Sequence, residues 1–133
     1  MEQLSLKGFE MKVKSLLPAT QLAECSTVEL LEELQSRGGH PGALAEAALL
    51  CIRKSQDYNQ GVGDMDPHTI DRSSYFPFGA VSYAQMLHTK SQRFNSLVLK
   101  DMRGQDANFE GLRDTALDII NYAGFFAGAY KKD

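Results

Sequence analysis

The segment His40–Lys54, HPGALAEAALLCIRK, decides the fold class of this chain. Pro41 suits the first turn of a helix, where its missing N–H would have no intrahelical partner. Apolar or small residues then recur at the i, i+3, i+4, i+7, i+8 spacing of one helical face, at Leu44, Ala47, Ala48, Cys51 and Ile52. We therefore expect a helix that ends near Gln56, with a face small enough for a neighbouring helix to come close.

The residues before this segment predict one further clear helix. Ser26 to Glu29, STVE, forms the pattern of a capping box, and Gly38-Gly39 would end the helix that follows. The first segment, Glu2–Leu17, is weakly amphipathic and ends before Pro18, so it is either a helix or a short strand.

Two more long helices are predicted after the segment His40–Lys54. Helical spacing of apolar residues runs through 80–100 and from about Phe109 to Tyr130. The expected core stripe of the last helix is Leu112, Ala116, Ile119, Ile120 and Ala123. The chain is thus predicted to be a single all-α domain, 1–133, a bundle of four to five helices with three long core helices.

A long connection separates the third and fourth predicted helices. Residues 59–78 lack helical periodicity and are rich in Gly, Asp, Pro and Ser. Loops longer than about 12–15 residues are uncommon in compact domains and are usually functional or disordered. We expect this one to cover a ligand or to contact another subunit, with Arg72 and Tyr75 as its candidate binding residues.

The composition excludes several classes of protein. Hydrophobic residues make up 43% of the 133, which is too many for a disordered chain, and the formal net charge of −3 gives no overall attraction to nucleic acids. No apolar run approaches the roughly 20 residues of a membrane span. The two cysteines, Cys25 and Cys51, have no zinc spacing and are expected to be reduced and buried. A cytoplasmic protein is the plainest interpretation.

Acidic side chains recur along one face of the last helix. Glu110, Asp114 and Asp118 lie at i, i+4 and i+8, with Asn121 next on that face. Like charges at this spacing destabilise a helix by a few tenths of a kcal/mol, so something should offset them. Mg²⁺ is one answer, because it binds one or two carboxylates together with substrate phosphates. Basic side chains on a neighbouring helix, or solvent alone, are the others.

Basic side chains are available for either role. Lys90 and Arg93 are i, i+3 neighbours that can pair with the acidic face or bind phosphate. Residues at the end of the third helix could hold a phosphate, a metal and a base or sugar, namely Lys54, Asp57, Tyr58 and Asn59. Ordinary helix-end chemistry also explains them.

Three fragments follow one another along the chain: KSQDYNQ, FPFGAVSYAQMLHTKSQRFNSL and EGLRDTALDIINYA. Together they resemble the nucleotide-modification-associated domain 1 family, a small all-α family of phages and bacteria. The resemblance covers about 44–130 and leaves 1–40 outside. The loop after Tyr58 departs from the family pattern because it is longer here. The matching positions are Lys54, Asp57, Tyr58, Asn59, Gly79, Lys90, Arg93, Glu110, Asp114, Thr115, Asp118, Asn121 and Tyr122.

The resemblance implies nucleotide handling, because the family is similar to a phage nucleotide kinase that lacks a P-loop. The implied activity is Mg²⁺-dependent phosphorylation of (deoxy)nucleotides, with pyrophosphohydrolysis as another possibility. The implied catalytic residues are Asp57, Asp114 and Asp118, and the implied metal ligands are Asp114, Asp118 and Glu110. Nucleotide would contact Lys54, Tyr58, Asn59, Lys90, Arg93 and Asn121, and the loop residues Arg72 and Tyr75, which lie outside the family pattern, are expected to join them.

Other functions stay open from the same residues. A non-catalytic binder could sequester a nucleotide immune signal of the host, an accessory domain could serve phage DNA-base modification, and a structural domain could use the charges as an internal ion-pair network. The C-terminal run YAGFFAGAY, 122–130, permits close helix approach and predicts a homo-oligomer. Direct nucleic-acid binding and membrane binding are not expected.

Overall fold

A computed structural model describes residues 18–58, 66–105 and 109–130. Within these residues the chain forms five helices and no strand, which confirms the predicted all-α fold with three long helices. No helix in the described ranges is both long and apolar enough to cross a membrane. The helices are α1 (Pro18–Glu24), α2 (Thr27–Arg37), α3 (Gly39–Tyr58), α4 (Ala80–Met102) and α5 (Phe109–Ala129).

The start of the described chain differs from the prediction. The segment Glu2–Leu17 lies outside the described residues. Pro18, which was expected only to end that segment, is itself the first residue of α1, a helix that the sequence pattern did not predict. Proline suits this position because its fixed φ is already helical and its N–H is not needed there.

The capping box before α2 is confirmed. The Ser26 hydroxyl accepts a hydrogen bond from the Glu29 N–H at 3.1 Å, and the Glu29 carboxylate accepts one from the Ser26 N–H at 3.1 Å. These two bonds satisfy donors that the first helical turn leaves without partners. Gly38 ends the helix with a φ of +75°, which a glycine adopts without strain.

Helix α3 packs against α2 on one side and α5 on another, and α4 packs against α5. The single core face predicted for α3 is therefore wrong in part. Ala45, Ala47 and Leu49 are all buried. At about 100° per residue, Ala47 lies about 200° around the helix from Ala45, so the two side chains point to nearly opposite sides. Leu44 was predicted to lie in the core but is 42% exposed.

The core continues into α5 through a residue that the stripe prediction omitted. Leu117 and Thr115 are buried, whereas Ala123 is exposed and the other predicted stripe residues are only half-buried. The prediction chose one face of α5, but α5 contacts α3 and α4 at once. A helix between two neighbours buries a wider arc than a single apolar stripe.

The described part of the α3–α4 connection, 66–79, is built from successive turns. The carboxylates of Asp66 and Asp71 accept hydrogen bonds from the N–H groups two residues on, of His68 and Ser73. Further turns follow, and Gly79 with a φ of +60° leads into α4. Phe76 is the only buried apolar residue in this described stretch, so it anchors the loop to the helices.

Candidate functional site

Arg72 fastens the loop to two helices. Its Nη2 donates a hydrogen bond to the Cys51 Sγ of α3 at 3.1 Å. Its guanidinium carbon lies 4.0 Å from the centre of the Phe125 ring of α5, a cation–π distance. A ring and a sulfur therefore both contact the guanidinium and restrict its orientation.

An aromatic cluster lies beside Arg72. Phe76 stacks on Tyr83 of α4, with ring centroids 4.0 Å apart and 11° between the planes. Edge-to-face contacts at 6.0 and 5.9 Å link Tyr122 of α5 to Phe76 and Phe125. These rings join the loop, α4 and α5 into one apolar wall.

Asp118 of α5 lies between two lysines from different helices. Lys90 Nζ of α4 is 3.1 Å from one carboxylate oxygen, and Lys54 Nζ of α3 is 4.0 Å from the other. Basic residues on neighbouring helices therefore offset the charge of the acidic face at this position. Arg113, next to Asp114, instead forms a two-armed ion pair with Glu46 of α3.

The remaining acidic positions do not assemble a metal site among the described side chains. No group of three or more His, Cys, Asp or Glu side chains in the described part of the chain could hold a metal ion. Asp114 is exposed. The side chains of Glu110, Asp57 and Tyr58, and all of Asn59, lie outside the described residues, so the predicted Mg²⁺ site stays a prediction.

Two adjoining cavities open around Arg72. The larger cavity has a volume of about 840 Å³ and reaches from α5 to Thr27 and Leu31 of α2. The smaller cavity has a volume of about 470 Å³ and includes Lys54, Tyr75 and Asp118 in its wall. They share a wall that contains Cys51, Asp71, Arg72, Asn121 and Phe125.

Polar residues of the loop, among them His68, Asp71 and Ser73, line the larger cavity. The Ser73 backbone N–H, and then its side chain, stabilise the Asp71 carboxylate and lower its pKa below the ordinary value. A 2.7 Å hydrogen bond joins His68 Nε2 of the loop to Thr27 Oγ1 at the start of α2. The larger cavity is thus bordered by a loop that is tied to α2, α3 and α5.

The structure brings together some of the predicted binding residues. Arg72 and Asn121 line both cavities, Lys54 and Tyr75 line the smaller one, and Lys90 reaches the same region through Asp118. Arg93 is exposed on α4 and, like Asp114, lines neither of the two cavities.

Three site residues were missed as binding candidates, namely Asp71, Phe125 and Cys51. Both cysteines were expected to be reduced and buried; Cys25 and Cys51 are free, in agreement, but each is only half-buried. The Cys51 Sγ on α3 accepts the part-buried hydrogen bond from Arg72 of the loop. Nothing in the spacing of these residues shows that a loop arginine connects Cys51 to Phe125, since the contact spans three elements.

Comparisons with protein-family models, with curated proteins and with solved structures found no match for this chain.

Proposed function

We propose that this protein binds a nucleotide, with its phosphate against Arg72 and Lys54 and its ring system against the aromatic wall. The observation that carries the proposal is the position of Arg72. Its restricted guanidinium forms part of the wall between two cavities, one of which also contains Lys54. A planar guanidinium is well suited to phosphate oxygens because it offers paired N–H donors.

The two lysines at Asp118 differ in a way that supports phosphate binding. Lys90 is close to Asp118 and its side chain is 21% exposed, whereas Lys54 is at the edge of contact and 65% exposed. An exposed ion pair at 4.0 Å contributes little stability. Lys54 can therefore turn toward a phosphate at small cost, while Lys90 continues to neutralise Asp118.

Aromatic side chains provide the surface for a base. Tyr75 is 71% exposed and lines the smaller cavity, together with Tyr122 and Phe76. Stacking of a base on such a ring contributes about 1–3 kcal/mol and tolerates any of the bases. The site thus supports recognition of a nucleotide more directly than it supports selection among bases.

The geometry favours binding without chemical change. Lys90 Nζ lies 3.1 Å from one Asp118 oxygen and stays there when Lys54 turns away, so a metal ion at this carboxylate would have to displace or repel the Lys90 ammonium group. A binder of this kind would sequester its ligand. The Mg²⁺-dependent kinase implied by the family resemblance is the second candidate, favoured by Asp114, an exposed carboxylate one turn before Asp118.

The test is incubation of the purified protein with mixed ribo- and deoxynucleotides, in Mg²⁺ and in EDTA, followed by mass spectrometry of the bound and free pools. We expect an unchanged nucleotide in the bound pool under both conditions. A phosphorylated or hydrolysed product that needs Mg²⁺ would establish the second candidate. Absence of any bound nucleotide would overturn the proposal.

A matched pair of variants connects binding to the site. Lys54→Gln should weaken nucleotide binding, because it removes a cation from the smaller cavity. Arg53→Gln removes a cation from the adjacent, exposed position of α3, which lines neither cavity, and should leave binding unchanged. Equal losses in both variants would indicate general electrostatic attraction rather than a built site.

A further inference from the structure

We infer that the preferred ligand has two ring-bearing units joined through phosphate, one unit in each cavity, with the linking phosphate at Arg72. This inference rests on the proposed nucleotide binding and narrows the class of ligand to dinucleotides and related two-unit molecules.

The sizes and the common wall of the cavities carry the inference. Their volumes, about 840 and 470 Å³, each lie in the range of about 300–1,000 Å³ that is typical of whole small-molecule sites. Arg72 and Phe125 belong to both walls, so the cavities meet at these two residues. A mononucleotide that fills the smaller cavity would leave the larger one unused.

Each cavity has its own surface for a ring. The smaller cavity has Tyr75 and Tyr122, and the larger has the aliphatic side chains Leu31 and Ile52 together with Tyr83, one face of which stacks on Phe76. The guanidinium of Arg72 is the cationic group common to both. A ligand with its negative charge in the middle and a ring at each end matches this order of apolar, cationic and apolar surfaces.

Asp71 limits how much negative charge this centre accepts. Asp71 belongs to the wall of both cavities, and the Ser73 N–H donates a hydrogen bond to its carboxylate, which favours the ionised form. A carboxylate repels additional phosphates but accepts hydrogen bonds from sugar hydroxyls or base amino groups. The site therefore suits one short phosphate link better than a free triphosphate.

Two glycines of α5 offer a direct way to close the larger cavity. Gly124 and Gly128 line it, and a Cβ added at either position would meet no atom within 4 Å. Gly124→Leu should therefore fill space in the cavity without disturbing the backbone, and it also favours the helix. Ala127→Leu adds the same side chain at an exposed α5 position that lines neither cavity.

The experiment is isothermal titration calorimetry of the full chain with three probes, each prepared with several bases. The probes are a nucleoside 5′-monophosphate, the matching 5′-phosphorylated dinucleotide with a 3′–5′ link, and the matching dinucleoside pyrophosphate. We expect at least one two-unit probe to bind roughly tenfold or more tightly than the monophosphate, because its second unit binds without a further loss of translational freedom. The better of the two links identifies the phosphate geometry that Arg72 prefers.

The variants decide between the outcomes. Gly124→Leu should bring the two-unit probe to within about twofold of the monophosphate, and Ala127→Leu should preserve the full difference. Gly128→Leu replaces Gly124→Leu if circular dichroism shows that the latter is unfolded. Equal affinities of the wild-type chain for one-unit and two-unit probes would overturn the inference and leave the proposed nucleotide binding intact. No binding of any probe would overturn both, and an undiminished preference in the folded glycine variant would refute the use of the larger cavity.

Discussion

Phe76 of the loop stacks face to face on Tyr83 of α4, with the ring centroids 4.0 Å apart. Phe76 is 7% exposed and also contacts the rings of Tyr122 and Phe125 in α5. A connection between two helices thus contributes a core residue. The position of Arg72, four residues earlier, depends on this anchor as well as on its own contacts.

We therefore expect Phe76→Ala to lower the free energy of unfolding by about 3 kcal/mol, because it removes a buried ring and leaves a cavity among the aromatics. Phe78→Ala is the matched control, since Phe78 is 78% exposed and its loss should change stability by less than about 0.5 kcal/mol. Urea denaturation followed by far-UV circular dichroism measures both. Similar losses in the two variants would show that Phe76 is not the anchor of the loop.

The sequence predicted the helices better than their packing. Three local signals in the sequence each predicted a helix or a helix end that the structure confirms. They are the capping box at Ser26, the glycines after α2 and the helical spacing within α3. The predicted core face of α3 was partly wrong, because a single apolar stripe assumes one neighbouring helix, whereas α3 packs against two. Leu44 follows the stripe perfectly and is nevertheless exposed.

Only the charged part of the candidate site could be predicted from the sequence, because the spacing of like charges on a helix limits which groups can lie beside them. The like charges along α5 predicted that metal, basic residues on neighbouring helices or solvent would offset them, and Lys90 and Lys54 do so at Asp118. The contact of Arg72 with Phe125 joins residues 53 positions apart in sequence, through a loop whose path no periodicity encodes. Turn residues indicate that a chain bends, but they do not indicate what it meets afterwards.

The two lysines at Asp118 should differ in their effects on stability. Lys90→Met leaves a half-buried carboxylate without its close partner and should lower the free energy of unfolding by about 1 kcal/mol. Lys54→Met removes an exposed and distant partner, so its effect should stay within about 0.5 kcal/mol. Chemical denaturation of both variants at one pH and salt concentration measures the difference. A larger loss in Lys54→Met than in Lys90→Met would contradict the assigned geometry.

Two glycines should respond to alanine with opposite signs. A Cβ on Gly42 would lie 3.2 Å from the Leu34 carbonyl oxygen and 3.3 Å from that of Gln35, so Gly42→Ala must push α3 away from α2. The same change at Gly128 meets open space and should raise the free energy of unfolding by about 0.5–1 kcal/mol. Thermal denaturation should show a lower midpoint for Gly42→Ala and a higher one for Gly128→Ala. A stabilised Gly42→Ala variant would mean that the α2–α3 contact is looser than these distances require.

The ion pair between Glu46 and Arg113 should make stability depend on pH in the acid range. The hydrogen bond from Arg113, reinforced by its charge, lowers the pKa of Glu46 below the ordinary value of 4.5. Because the folded pKa is the lower one, the contribution of Glu46 is fully present above the unfolded pKa and is lost as the pH falls through the folded pKa. We expect the free energy of unfolding of the wild type to fall more steeply between about pH 6 and pH 3 than that of Glu46→Gln, which cannot titrate at this position. Urea denaturation of both proteins at several pH values in this range gives the two slopes. Parallel slopes would show that the ion pair is too exposed to couple protonation to folding.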